Sequence, residues 1–195
     1  MFQADFITIV SGLPRSGTSM MMSMLEAGGV PVLADGIRTA DDDNPKGYYE
    51  FERVKKIKDD KAWLPEAKGK VVKMISQLLL DLPEGAGHDY RVIFMRRSIG
   101  EILASQKQMM VRRGTVKEGG PSDEEMGKLL LGHVDVVLKK MGSRADVDLI
   151  EVDYNAVMKG DQSSIPRINK LLGGGLNTQD MGAVVDKNLY RQRKD

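Results

Sequence analysis

The sequence contains no cysteine. That excludes disulfides, thiolate metal sites and a cysteine nucleophile, and it fits a reducing compartment, so a cytoplasmic location is expected. Aromatic residues make up 5% of the chain, too few for an extended base-stacking surface. Only two histidines are present, which narrows imidazole chemistry to His88 and His133. Apolar runs are short: Phe6 to Val10 and Leu78 to Leu80 fall far below a bilayer span, so no membrane insertion is expected. The N-terminus lacks the basic and apolar regions of a secretion signal. Neither charge sign dominates. With 29 basic and 28 acidic residues the formal net charge is +1, so no nucleic-acid partner is expected and any anion site must be built locally.

What is present is a globular composition, 41% apolar and 29% charged, over 195 residues. That length suits one domain, residues 1–195, with a real core. Phe6-Ile-Thr-Ile-Val10 reads as a buried β-branched strand closed by a Gly/Pro loop. A helical pattern runs from Thr18 to Ala27 and stops at Gly28-Gly29. Residues 30–49 read as irregular, and Glu50 to Lys61 as a charged surface helix. Further strands are expected at Val71–Ile75, Arg91–Met95 and Val147–Val152, with helices at Gly100–Arg112 and Ser164–Leu172. Gly114 to Pro121 reads as a polar loop and candidate lid. Ser122-Asp-Glu-Glu125 is a capping-box pattern, followed by one apolar helical face at Met126, Leu130, Val134, Val137 and Met141. Strands alternating with helices predict an α/β fold, a three-layer α/β/α sandwich of the P-loop NTPase type with a mostly parallel sheet. Ligands in such sheets sit at the carboxyl ends of strands.

The loop after the first strand, Gly12-Leu-Pro-Arg-Ser-Gly-Thr-Ser19, has the form of a phosphate loop. Glycines 12 and 17 allow successive N–H groups to point into one concavity. The helix beginning at Thr18 adds its unpaired N–H groups and positive dipole end. The ATP-type pattern G-x-x-x-x-G-K-[ST] needs a lysine where this chain has Thr18. A cation appears instead at Arg15, whose guanidinium can grip two oxygens of one anionic group. The stretch GLPRSGTSM resembles the 5′-phosphosulfate loop of the sulfotransferase superfamily, which uses 3′-phosphoadenosine 5′-phosphosulfate (PAPS) and releases 3′,5′-adenosine bisphosphate. By that resemblance Pro14, Arg15, Ser16, Gly17, Thr18 and Ser19 hold the 5′-phosphate and sulfuryl group.

The superfamily's second signature is an arginine after a central strand with a serine eight positions later, together holding the 3′-phosphate. VIFMRRSIGEILAS supplies Arg97 and Ser105 at that spacing. Ser105 lies about two turns into the following helix, so both can reach one crevice. Many members carry proline two residues after the arginine, where this chain has Ile99. Strand alternation puts the neighbouring Arg96 on the opposite face. NPKGYYE (44–50) and VVDKNLYRQR (184–193) also resemble bacterial members, and Arg191 and Arg193 are expected to close over the nucleotide.

In-line sulfuryl transfer needs a base for the acceptor proton and cations for the leaving phosphate, a part that falls to Arg15. No metal is expected; the acidic run Asp41 to Asp43 reads as a solvated turn. Cytosolic small-molecule members use a histidine after a Lys-Thr pair on the next strand. Lys73 matches the lysine, a candidate for stabilising sulfuryl oxygens, but Ile75 stands at the histidine position. His133 reads as a packed or edge histidine, and His88 as solvated in its Gly-Ala-Gly-His loop. The resemblance leaves two carboxylates as candidate bases, Asp35 and Glu50. The acceptor is open: a hydroxyl or amine on a small molecule, glycan or peptide. The alternatives are a P-loop nucleoside or small-molecule kinase and a non-catalytic nucleotide-binding protein on the same fold.

Overall fold

In the computed structural model, residues 2–37, 47–115 and 119–186 are described. The triple aspartate at 41–43, the 44–46 part of NPKGYYE, and Arg191 and Arg193 lie outside them, as does part of the expected lid.

Four strands form one parallel sheet: β1 (Ile7–Gly12), β2 (Val71–Lys73), β3 (Tyr90–Arg96) and β4 (Val147–Asp153), in the order β2-β1-β3-β4. The helices are α1 (Thr18–Ala27), α2 (Ile99–Arg112), α3 (Asp123–Gly142), α4 (Tyr154–Met158), α5 (Ser164–Leu171) and α6 (Thr178–Ala183). Strand alternation splits the apolar residues between the two faces of the sheet. Ile7 and Ile9 of β1, with Val92 and Phe94 of β3, pack against Ile102 of α2 and Val134, Val137 and Met141 of α3. Val10, Ile93 and Met95 face the other way, onto Met21 and Leu25 of α1, Ile168 of α5 and Met181 of α6. Both faces are covered, so β1 is buried along its whole length. The sandwich expected from the alternation of elements is the one observed, and all four strands are parallel.

Chain direction decides where a ligand can bind. The loop after β1 enters α1 on one face, whereas the loop after β3 enters α2 on the other. The two loops diverge between adjacent strands, which leaves a crevice at their carboxyl ends.

Several expectations need correction. Glu50 to Lys61 is not one helix; only a 3₁₀ segment, Glu52–Lys56, forms. Val54 and Ile57, three apart, are both buried, which fits a three-residue turn. The Asp60 carboxylate then takes both the Arg53 fork, at 2.9 and 3.0 Å, and the Ala62 N–H, which turns the chain away. The second strand stops at Lys73, leaving Ile75 outside it and 44% exposed. His88 is not fully solvated: its ring packs near Tyr90, and Nδ1 is shielded without a hydrogen-bond partner. Other expectations hold. Ser122 and Glu125 form the reciprocal capping box of α3. His133 is an edge histidine, 2.9 Å from Ser76 Oγ.

The turn into β4 is fixed by Arg144, whose side chain is 2% exposed. It grips Asp146 at 2.9 and 2.7 Å and donates to the Leu82 and Pro83 carbonyls at 2.9 and 2.7 Å. The Arg144 guanidinium holds the Asp146 carboxyl below its usual range. Burial pushes the Tyr90 hydroxyl beneath it up to about 12. Replacing Arg144 by Met strands a carboxylate and two carbonyls, so urea unfolding should show a loss of about 3–5 kcal/mol. Because the folded carboxyl is depressed, the ion-pair stability is complete above the unfolded value and fades as pH falls through the folded one. The gap between wild type and Arg144→Met should therefore narrow below about pH 4.

Candidate nucleotide site

Gly12 ends β1 directly beside Met95 of β3. A Cβ at Gly12 would lie 2.7 Å from the Met95 carbonyl oxygen, and φ is +148°. Gly17 takes φ +97°, and a Cβ there would sit inside the Tyr154 ring, 2.8 Å from Cε2. These are the two positions where the loop admits only glycine. Between them Arg15 has φ 75°, the one positive-φ non-glycine among the described residues. Such a conformation costs about 1–3 kcal/mol and persists where the surroundings over-determine it.

Three contacts do so. Arg97 Nη1 donates to the Arg15 carbonyl at 3.0 Å. Arg15 Nε donates to Ser105 Oγ at 2.9 Å. Gln106 Nε2 donates to the Pro14 carbonyl at 3.2 Å. The residues of the two sequence motifs are thus in direct contact, although they lie far apart in the chain. Arg97 in turn pairs with Glu101 at 2.9 Å and lies over the Tyr154 ring at 4.6 Å. Arg96 points elsewhere, to an ion pair with Glu151 at 2.8 Å, as strand alternation requires.

The loop leads into α1, which has no side-chain cap and whose first residues, Thr18 and Ser19, line the cavity. Ser16 Oγ is buried under the loop without a hydrogen-bond partner. An uncapped helix start on a glycine-bracketed loop, with two arginines beside it, fits an anionic phosphate group.

Across the loop, Lys73 at the end of β2 places Nζ 3.5 Å from Ser19 Oγ and 5.7 Å from the Tyr48 ring centroid. Glu50 lines the same cavity; its side chain is 19% exposed and lies 3.3 Å from Lys55 Nζ. Asp35 is exposed and does not line the cavity. Its carboxylate accepts from the Ile37 and Glu52 N–H groups at 3.1 and 2.6 Å, and its own N–H donates to the Glu50 carbonyl at 3.1 Å. Asp35 therefore braces the backbone that carries Glu50. Tyr49 pins the same segment to α1, bonding Ser23 at 3.1 Å and Glu26 at 2.6 Å. Burial, with Glu26 second, raises the Tyr49 hydroxyl above its ordinary value.

The cavity measures about 440 Å³. Pro14, Arg15, Gly17, Thr18, Ser19, Arg97 and Ser105 all line it, as do Glu50 and Lys73. Ser16 lies behind the loop. Part of the lining is apolar, with Met20, Phe51, Val54, Met74, Leu78 and Met109. Arg112 and Arg113 at the end of α2 and Asp186 also contribute. Sequence reading missed Tyr154, Glu101, Asn155 and Gln106, which support the loop. None sits in a motif of characteristic spacing. Their one available signal is position: Tyr154 and Asn155 directly follow β4, and Glu101 and Gln106 lie on the helix that follows β3. Among the described residues no cluster of metal-ligating side chains occurs.

No family model and no curated protein matches this sequence. Solved structures do. The mouse sulfotransferase SULT7A1, solved with PAP, aligns with a TM-score of 0.51 at 14% identity, over 94% of this chain and 64% of that one. The chain therefore spans slightly under two thirds of the mouse protein. The sulfotransferase domain of the curacin biosynthetic pathway aligns with a TM-score of 0.53 at 12% identity, over 98% and 93% of the two chains. With four parallel strands, a glycine-bracketed loop after β1 and an arginine after β3, the chain has the fold of the sulfotransferases.

Proposed function

We propose that this protein is a PAPS-dependent sulfotransferase that acts on a hydroxyl or amine of a small-molecule acceptor. One observation carries the reading: the loop motif and the Arg97/Ser105 motif meet in one cavity, joined through Arg15. Two anion-holding groups on one crevice suit a nucleotide with phosphates at both ends of its ribose. The donor, when bound, supplies a sulfuryl group whose bond to the 5′-phosphate oxygen breaks as the acceptor oxygen or nitrogen attacks sulfur.

The chain's own residues would divide the work as follows. Pro14 to Ser19 and the start of α1 hold the 5′ end, with Arg15 neutralising charge on the leaving phosphate. Arg97 and Ser105 hold the 3′-phosphate, with Arg191 as a further candidate from the tail. Lys73, beside Ser19, steadies the sulfuryl oxygens. Glu50 takes the acceptor proton, since it faces the cavity and Asp35 does not. The apolar part of the cavity lining favours a small molecule over a glycan, whose many hydroxyls it would leave unpaired. No step needs a metal. The lack of cysteine supports a cytoplasmic site of action. Among the described residues no helix is long and apolar enough to cross a membrane.

Calorimetry should show 3′,5′-adenosine bisphosphate binding more tightly than AMP or ATP; equal or stronger binding of ATP would reverse the reading towards a kinase. Arg97→Ala should lose the preference for the 3′-phosphate by about 1.5–3 kcal/mol, the size of a charge-assisted hydrogen bond. Glu50→Gln should keep bisphosphate affinity while kcat falls by about 10²–10⁴. Unchanged turnover in Glu50→Gln would remove Glu50 as the base.

A further inference from the structure

The deepest carboxylate beside the cavity is one that the transfer chemistry does not use. Glu101, in the first turn of α2, is 1% exposed. Oε2 accepts from Arg97 Nε at 2.9 Å, and Oε1 accepts from Asn155 Nδ2 at 2.9 Å. Asn155 is itself held, because its Oδ1 accepts from the Ser98 N–H at 3.0 Å. The chain of contacts thus runs from α4 through Glu101 to Arg97, and from Arg97 to the Arg15 carbonyl.

Guanidinium is planar, and its orientation needs three restraints. Here the Nε edge is held by Glu101, one face lies on Tyr154 at 4.6 Å, and the Nη1 corner is tied to the loop. A long side chain would otherwise lose rotamer freedom on meeting an anion. Fixing it beforehand removes that loss from the binding step. We infer that Glu101 is a positioning residue: by gripping the Nε edge, it sets which edge of Arg97 faces the cavity, and so sets the preference for a 3′-phosphate. This rests on the nucleotide reading above. Asn155 supports the same device from the far side of the carboxylate.

Two simpler roles predict different results. If Glu101 only cancelled the Arg97 charge, removing its charge would strengthen phosphate binding. If Glu101 only stapled α2 to α4, its loss would lower stability and leave nucleotide preference alone.

The test is calorimetry of 3′,5′-adenosine bisphosphate and AMP on wild type, Glu101→Gln and Asn155→Ala, with thermal unfolding followed in parallel. Glutamine keeps the size and one acceptor but loses the charge that grips Nε. In Glu101→Gln the ratio of the AMP to the bisphosphate dissociation constant should fall about tenfold, the loss of one charge-assisted bond. An unchanged or increased ratio overturns the inference. Should that variant fail to fold, Asn155→Ala decides: a fall of about threefold supports the device, and an unaltered ratio sinks it. A wild-type protein with no preference for the bisphosphate would overturn the nucleotide reading, and the inference with it. Wild-type preference that survives both substitutions overturns the inference alone.

Discussion

The hydrogen bond from Arg97 to the carbonyl of Arg15 joins the two halves of the site. It links the residue after β3 to the tip of the loop after β1. It reaches a backbone held at φ 75°, a conformation that a non-glycine residue keeps only under restraint. Around it, Ser105 takes the Arg15 side chain and Gln106 takes the Pro14 carbonyl. The loop is therefore shaped from outside, by α2, as much as by its own glycines. Ligand binding here would spend little free energy on ordering the loop.

That arrangement depends on the sheet. Because β1 and β3 are parallel neighbours in register from Ile7/Tyr90 to Gly12/Met95, their ends coincide. Because α1 and α2 then leave to opposite faces, the crevice between the ends stays open. The two apolar clusters hold those helices in place. β2, on the other side of β1, brings Lys73 to the rim, and the braced segment around Glu50 completes it. Arg15 and Arg97 stand on the β1–β3 side of the cavity, and Lys73 stands on the β2 side.

Much of the fold was legible in the chain itself. Short apolar, β-branched runs marked the strands within two residues or so, most clearly β1, which is buried along its whole length. The capping box at Ser122 and the apolar face ending at Met141 located α3, because both are local patterns. The segment after Glu50 was misread for the opposite reason. Its charges suggested a surface helix, but Val54 and Ile57 are buried and Asp60 turns the chain through Arg53 and Ala62. Those are tertiary demands that periodicity over a dozen residues does not register.

The site divides in the same way. The sequence determined the phosphate-loop form and the Arg-Ser pair, since a glycine-bracketed loop at a helix start and an arginine with a serine eight positions on are each encoded within a few residues. It also settled what was missing, a lysine at Thr18 and a histidine at Ile75. Tertiary structure alone decided that Arg15 meets Ser105, that Arg97 is braced by Glu101 and Tyr154, and that Glu50 rather than Asp35 lines the cavity. Each of those facts is a contact between segments distant in the chain. Their distances follow from strand order and helix packing, which no local spacing contains.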